Sequence, residues 1–384
     1  MSDLTAALSI LERLVAFDTT SRNSNLDCIA WIEGELARSG AQCHRVPSAD
    51  GDKTNLFATI GPQMPGGVIL SGHSDVVPVD SQNWTSDPWQ VTRRGDRLFG
   101  RGTCDMKGFL ALALANAPQF AQGARPVHLA ISYDEEVGCK GAPAMIAQMA
   151  ETPPKPQAAI IGEPSMMRII DAHKGITVHE VSVTGHEAHS SLTHLGLSAN
   201  MIAIELMAFL TDLARKLEQA SDTENGFEPA HPTLTIGLMQ GGTAANILAG
   251  QASFTFDLRC PPGCAATDIL APFHRLCERR NAEIAARYPD CRITVTRRSD
   301  APPLTPHDNE AAVALIRKLT GENGAAHKVA YAAEAGQFSQ AGFPTVICGP
   351  GSIEQAHQPD EWIAVEQMEQ GLRFMERLAQ ELAA

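Results

Sequence analysis

The chain has 384 residues, a length that predicts about two domains with ample material for a hydrophobic core. Hydrophobic residues make up 44% of the sequence and charged residues 19%, which is typical of a globular protein and excludes a disordered one. The net charge of −14 argues against nucleic acid or an anionic membrane as a partner, and no apolar run is long enough to span a bilayer.

The first half of the chain alternates short buried runs with helical patterns, after two helical stretches that end near residue 40. This alternation is typical of an α/β domain with a mostly parallel central sheet. The predicted strands cover residues 55–60, 67–70, 97–100, 127–132 and 158–161, with helices over 106–117 and 141–150.

The pattern changes after Gly175, where the elements follow the β-α-β-β-α-β order of a ferredoxin-like unit. Strands are predicted over 177–184, 233–240, 251–259 and 291–297, and helices over 197–220 and 267–286. Helix–strand alternation then resumes, with helices over 308–320 and 364–382 and a strand over 344–348. We therefore expect a discontinuous α/β domain (residues 1–175 and 299–384) with an inserted α+β domain (residues 176–298).

The nine cysteines are scattered along the chain and form no Cys-x-x-Cys pair. An odd number without that spacing disfavours a disulfide framework and a thiolate zinc site. The N-terminal residues also lack the basic segment of a secretory signal. The sequence therefore predicts a cytoplasmic protein.

Polar residues concentrate just after the predicted strands, where open α/β sheets bind ligands. In Gly72-His73-Ser74-Asp75, residues two apart share a side, so Asp75 can accept a hydrogen bond from one ring nitrogen of His73 and leave the other for a metal. The segment lacks the last glycine of a nucleophile elbow, Gly-x-Ser-x-Gly. By itself it is equally typical of a solvated turn.

Further acidic and imidazole groups follow later strands. The segment from Gly100 to Gly108 has Asp105 where a dinucleotide-binding fingerprint has glycine, so a nicotinamide-dependent oxidoreductase is disfavoured. Asp105 is also typical of a helix cap, and the Asp134-Glu135-Glu136 run of a solvated loop. Glu163 and His357 follow two more strands.

Taken together, these residues form a donor set of carboxylates and imidazoles. Such donors suit zinc, cobalt or manganese, and five or six of them suffice for two ions. A carboxylate that bridges two ions places them about 3.5–4 Å apart, where they activate a shared water and polarise a carbonyl, while a spare glutamate serves as general base.

In order along the chain, the motifs resemble those of the M20 metallopeptidase and deacylase family. They are Gly72-His73-Ser74-Asp75-Val76-Val77-Pro78, Gly100-Arg101-Gly102 through Asp105-Met106-Lys107-Gly108, Asp134-Glu135-Glu136, Gly162-Glu163-Pro164, Gly185 through Ala188-His189-Ser190, Gly241-Gly242-Thr243 with Asn246, and Asp257-Leu258-Arg259. Each motif alone is weak, but the ordered set is specific and spans nearly the whole chain. The resemblance implies a zinc-peptidase-like catalytic domain with a ferredoxin-like lid and dimerisation domain.

The resemblance also implies the roles of the site residues. Asp105 would bridge two divalent metals, most simply Zn²⁺ with Co²⁺ as an alternative. His73 and Glu163 would complete the coordination of one ion, and Glu136 and His357 that of the other. Three residues would take catalytic roles: Asp75 orients His73, Glu135 moves protons, and His189 reaches the active site of the partner in a homodimer and stabilises an oxyanion.

The resemblance further implies that Asn246 and Arg259 grip the substrate carboxylate. Residues 333–336 and 348–361 are most similar to family members that hydrolyse N-acetyl-L-ornithine to L-ornithine and acetate in arginine biosynthesis, although Ala333 departs from their pattern. Glu334 would then meet the substrate amine; its alternative is a surface acid that caps a helix. Other activities of the same family remain open: a succinyl-diaminopimelate desuccinylase, a broader N-acyl-amino-acid hydrolase, or a dipeptidase. A non-catalytic metal-binding protein is disfavoured, because every ligand position and the base are filled.

Overall fold

The computed structural model describes residues 4–152, 154–220, 225–307 and 309–383. The residue predicted to start one helix, 308, lies outside these ranges. The chain divides into two compact units. The first comprises the chain up to His173, Leu304–Lys328 and the chain from Ala333 onward; the second comprises Lys174–Pro303 and Val329–Ala332.

The elements are numbered in chain order. The helices are α1 (Leu4–Val15), α2 (Leu26–Ala37), α3 (Lys107–Phe120), α4 (Ala142–Glu151), α5 (Ala199–Gln219), α6 (Ala266–Ala285), α7 (Glu310–Thr320), α8 (Ala335–Gln340) and α9 (Val365–Ala383). The strands are β1 (Gln42–Pro47), β2 (Thr54–Ile60), β3 (Val68–His73), β4 (Thr92–Arg94), β5 (Arg97–Phe99), β6 (Val127–Ser132), β7 (Ala158–Pro164), β8 (Ile170–His173), β9 (Gly175–Thr184), β10 (Thr233–Gly241), β11 (Gln251–Cys260), β12 (Arg292–Ala301), β13 (His327–Val329), β14 (Thr345–Gly349) and β15 (Trp362–Ala364).

The main sheet of the first unit has the order β1-β2-β6-β3-β7-β14-β8-β13. Strands β6, β3, β7 and β14 are parallel, whereas β1 and β2 on one side and β8 on the other join antiparallel. The predicted α/β class with a mostly parallel centre is confirmed, with antiparallel strands added at its edges. The parallel centre places the carboxyl ends of four strands along one edge.

Helix α3 is buried over most of its surface, as expected for a helix that is apolar nearly all round. It approaches the sheet closely at Gly162, where a β-carbon would lie 2.1 Å from the ring of Phe109. Any larger residue there would push α3 away from β7. Glycine at this position therefore sets the distance between the helix and the sheet, and with it the position of the loop that precedes α3.

The second unit has the element order β9-α5-β10-β11-α6-β12. Its antiparallel sheet has the order β10-β11-β9-β12, so β11 lies between the two strands joined by α5, which is the split β-α-β arrangement of a ferredoxin-like unit. Alternate residues of β9 face the hydrophobic core of the second unit, which is formed with α5 and α6. Within the described ranges, no helix of either unit is long and apolar enough to cross a membrane.

Candidate metal centre

A cluster of acidic and imidazole side chains lies at the carboxyl edge of the parallel strands. His73 ends β3, Glu163 lies near the end of β7, and Glu135 and Glu136 follow β6. Asp105 precedes α3, and His357 follows β14 by way of a short loop. The first unit therefore brings together the five residues predicted to bind metal and the predicted base.

Asp105 lies between the two imidazoles. Its Oδ1 is 3.1 Å from Nε2 of His73, and its Oδ2 is 3.4 Å from Nε2 of His357. Glu163 Oε1 lies 3.8 Å from His73 Nε2, and Glu136 Oε2 lies 2.9 Å from His357 Nε2. One carboxylate with an imidazole and a further carboxylate on each side is the arrangement expected of two adjacent metal ions.

Two overlapping groups of donor atoms are close enough to share an ion. They are His73 with Glu135 and Glu163, and His73 with Asp105 and Glu136, each with ligand atoms within 4.8 Å of one another. The donors are oxygen and imidazole nitrogen, which suits zinc or cobalt. Two nearby thiols already make hydrogen bonds: Cys104 donates to the carbonyl of Ser352, and Cys139 donates to Glu135.

The electrostatics of the cluster also fit bound cations. Burial, followed by the negative charge of Asp105, raises the pKa of Glu163 well above its usual range and that of Glu136 to about 7. Burial also raises the pKa of Glu135. Hydrogen bonds to Asp105 and Glu136 raise the pKa of His357 to about 10. So much buried negative charge is unfavourable without compensation, and divalent cations would supply it.

The contact predicted between His73 and the Asp75 carboxylate is not made as expected. Nδ1 of His73 bonds the backbone carbonyl of Asp75 at 2.8 Å, whereas the carboxylate oxygen Oδ1 lies 3.7 Å away. That carbonyl still fixes the ring so that Nε2 faces Asp105. The reason is that the carboxylate is already engaged by other donors.

The Asp75 carboxylate instead holds the loop that carries the two glutamates. It accepts hydrogen bonds from the backbone amides of Glu135 (3.2 Å) and Glu136 (3.3 Å) and from the hydroxyl of Ser21 (2.6 Å). Asp75 is fully buried, so these bonds are protected from water. Sequence reasoning missed Ser21, whose only signal was its position in a Thr/Ser/Asn stretch before α2.

Glu334 lies at the N-terminus of α8 in the first unit and is almost completely buried. The alternative of a surface acid that caps the helix is wrong, since it is not at the surface and its side chain makes no capping bond. Its Oε1 has no hydrogen-bond partner, and burial raises its pKa to about 7. A buried carboxylate with one oxygen free of hydrogen bonds is suited to a cationic ligand.

Three predicted residues lie in the second unit instead. His189 is exposed, and its Nδ1 contacts the hydroxyl of Ser191 at 2.8 Å. Asn246 is exposed. Nε of Arg259 lies 3.3 Å from Oδ1 of Asp257, and about a third of the Arg259 side chain is exposed. Their predicted roles concern substrate and a partner subunit, and they stay predictions.

Sequence reasoning also missed Glu361. It is buried, pairs with Arg101, and accepts backbone hydrogen bonds from the segment that ends in Asp105. The signal available was its place in the segment 348–361, to which no role was given.

Comparison with known proteins identifies the family. Residues 69–381 match the model of peptidase family M20/M25/M40. The acetylornithine deacetylase of Proteus mirabilis is 36% identical over 91% of this chain and 88% of its own length, and that of Myxococcus xanthus is 34% identical over 96% and 95%. The structure of human carnosine dipeptidase 1 shares the fold, with a TM-score of 0.77 over 99% of this chain and 97% of that one at 16% identity. The chain belongs to the M20 peptidase family and is a hydrolase.

Proposed function

We propose that this M20 hydrolase removes the acetyl group from N-acetyl-L-ornithine and releases L-ornithine and acetate, as a step of arginine biosynthesis. The observation that carries this choice is Glu334, a buried carboxylate with one unpartnered oxygen in the unit that holds the metal cluster. It would bind the side-chain amine of ornithine through a charge-assisted hydrogen bond. Two relatives that bear the name acetylornithine deacetylase support the same substrate.

We assign the metal ligands as the arrangement around Asp105 suggests. His73 and Glu163 would hold one ion with Asp105, and Glu136 and His357 the other. Zinc is the first choice, with cobalt as the alternative, because both accept mixed imidazole and carboxylate donors. When bound, two such ions polarise the acetyl carbonyl and lower the pKa of a water molecule.

Glu135 is the proton carrier in this proposal. Its backbone amide is held by Asp75, and its Oε1 accepts a hydrogen bond from the thiol of Cys139 at 3.2 Å, so both the main chain and one carboxylate oxygen are held. It would take a proton from the attacking water and deliver it to the departing amine nitrogen, which balances the hydrolysis.

We assign the substrate carboxylate to Arg259 and Asn246, and oxyanion stabilisation to His189 of a partner subunit in a homodimer. An apolar surface of the second unit supports such pairing. Leu238 and Met239 are about 70% exposed on the edge strand β10, and Met201 and Ile204 are exposed on α5, which packs beside it. Exposed apolar edges of this kind are typical of protein interfaces.

We place the enzyme in the cytoplasm. All nine cysteines are free thiols, and most are buried. Free thiols without disulfides are typical of a reducing compartment.

The test is a comparison of kcat/KM on protein reconstituted with zinc or cobalt. The substrates are N-acetyl-L-ornithine, N-succinyl-LL-diaminopimelate, N-acetyl-L-methionine and a simple dipeptide. We expect a clear preference for N-acetyl-L-ornithine, abolished by a chelator and restored by metal. Preference for the succinylated substrate would identify a desuccinylase, and a flat profile a broader N-acyl-amino-acid hydrolase or dipeptidase; either result would refute the assignment of Glu334.

A further inference from the structure

We propose that Glu361, Arg101 and Gln82 form a positioning network that holds Asp105 and His357 at the separation one metal ion requires, with Gln82 as the residue that fixes His357. The inference rests on the metal site of the proposed function. It adds three residues outside the proposed ligand set, which act through the backbone of Asp105 and His357.

Glu361 fixes the segment that leads to Asp105. Its Oε1 accepts hydrogen bonds from the backbone amides of Cys104 (2.9 Å) and Asp105 (3.1 Å). Its Oε2 accepts from the amide of Gly102 (3.0 Å) and from Nη1 of Arg101 (2.7 Å). All four bonds are buried, so the orientation of Asp105 depends on one carboxylate more than 250 residues away in sequence.

Gln82 connects the same network to His357. Its Oε1 accepts hydrogen bonds from Nη2 of Arg101 (2.6 Å) and from the indole of Trp84 (3.1 Å). Its Nε2 donates to the backbone carbonyl of His357 at 2.9 Å. The amide of Gln82 is therefore oriented by two donors on one side, and its own donor group faces His357.

His357 needs such a connection because burial does not hold it. Its side chain is 54% exposed, and its φ is +62°, a conformation unfavourable for a residue with a side chain. A second tie acts on the same segment, because Asp360 accepts hydrogen bonds from the amide and hydroxyl of Thr85, both at 2.9 Å. The loop 82–85 thus holds the segment 357–361 at two points.

The sharpest test is Gln82→Glu. Glutamate keeps the acceptor for Arg101 and Trp84 but loses the donor to His357, so an oxygen faces the His357 carbonyl. The added negative charge alone would tighten cation binding, so the network and simple electrostatics predict opposite results. We expect one of the two Zn²⁺ or Co²⁺ dissociation constants, measured by chelator competition, to rise roughly 10- to 100-fold. The other should change little.

Gln63→Glu is the matched control. Gln63 bonds Gln42 of β1 through the same kind of amide contact and has no part in the metal cluster, so this variant should bind both ions like the wild type. Gln82→Met is the second variant. It adds no charge and should also weaken the binding of one ion. Because Gln82 is only half-buried, both variants should fold, with an unchanged near-UV circular dichroism spectrum.

Unchanged or tighter binding in Gln82→Glu would overturn the network, as would an equal loss in Gln63→Glu. Metal affinities are measured without substrate, so failure to hydrolyse N-acetyl-L-ornithine would refute the proposed substrate and leave this result readable. A wild-type protein that binds no metal would refute both.

Discussion

We expect the first unit of the metal-free protein to lose stability as the pH rises from 5 to 8. Several buried acids contribute, because burial raises the pKa of Glu135 and Glu163 as well. For Glu136 the pKa is raised from 4.5 in the unfolded chain to about 7 in the folded one, by burial and by the charge of Asp105. Between these values the folded state binds more protons than the unfolded state. Stability is therefore greatest below pH 4.5 for this group and falls until the pH passes 7.

The magnitude follows from the size of the shift. A change of 2.5 units at 1.36 kcal/mol per unit gives about 3 kcal/mol for Glu136, whose side chain is 6% exposed. His357 acts in the same direction, because its pKa is raised to about 10, so its stabilisation is present below pH 6.5 and is lost above it. Over half of that side chain is exposed, so solvent screens its contribution.

The assay is urea unfolding in excess chelator at pH 5, 6, 7 and 8, followed by tryptophan fluorescence. All four tryptophans (Trp31, Trp84, Trp89 and Trp362) lie in the first unit, so the signal reports on the unit that holds the cluster. Glu136→Gln should make the slope shallower by the contribution of that one group. A metal-free protein whose free energy of unfolding stays level or increases between pH 5 and 8 would refute the reasoning.

Three further predictions concern single residues. Glu135→Gln should lower kcat roughly 10²- to 10⁴-fold with metal content unchanged, since it removes proton transfer alone; metal lost in step with activity, by elemental analysis, would contradict this. Glu334→Gln should raise KM for N-acetyl-L-ornithine roughly 10- to 100-fold and leave N-acetyl-L-methionine unaffected, because a charge-assisted hydrogen bond is lost; equal effects on both substrates would count against it. Asp75→Asn should cost roughly 1–3 kcal/mol in urea unfolding, because one amide of the 135–136 loop then faces a donor. Ser21→Ala, which leaves those amides paired, should cost less, and the reverse order would contradict the role of Asp75.

The clustering of the candidate metal ligands was predictable because it depends on local rules. His73, Glu135, Glu136 and Glu163 each follow or end a buried strand, and parallel strands bring their carboxyl ends to one edge. The α/β class followed from the same alternation of buried runs and helices. Both predictions needed only the positions of the buried strands along the chain, which can be read from the sequence.

The connections behind those ligands were not predictable. His73 bonds the carbonyl of Asp75 rather than its carboxylate, which is occupied by distant donors: Ser21, 54 residues away, and the amides of Glu135 and Glu136. Gln82 lies in a loop with no periodic pattern, and its contact with His357 spans 275 residues. Strands β1 and β8 were missed because short, partly polar runs have no clear alternation.

Asp75 and Glu361 solve one physical problem in the same way. Each buried carboxylate holds an acidic segment by accepting its backbone amides, at Glu135 and Glu136 in one case and at Cys104 and Asp105 in the other. A lysine or arginine placed directly on the cluster would pair with its carboxylates and compete with metal ions for them. Peptide amides carry no net charge, so they orient the ligand segments and leave the negative charge of the ligands available. Arg101, the cation of this network, pairs with Glu361 rather than with a proposed ligand. Its position agrees with this reasoning, because the positive charge does not occupy the carboxylates of the cluster.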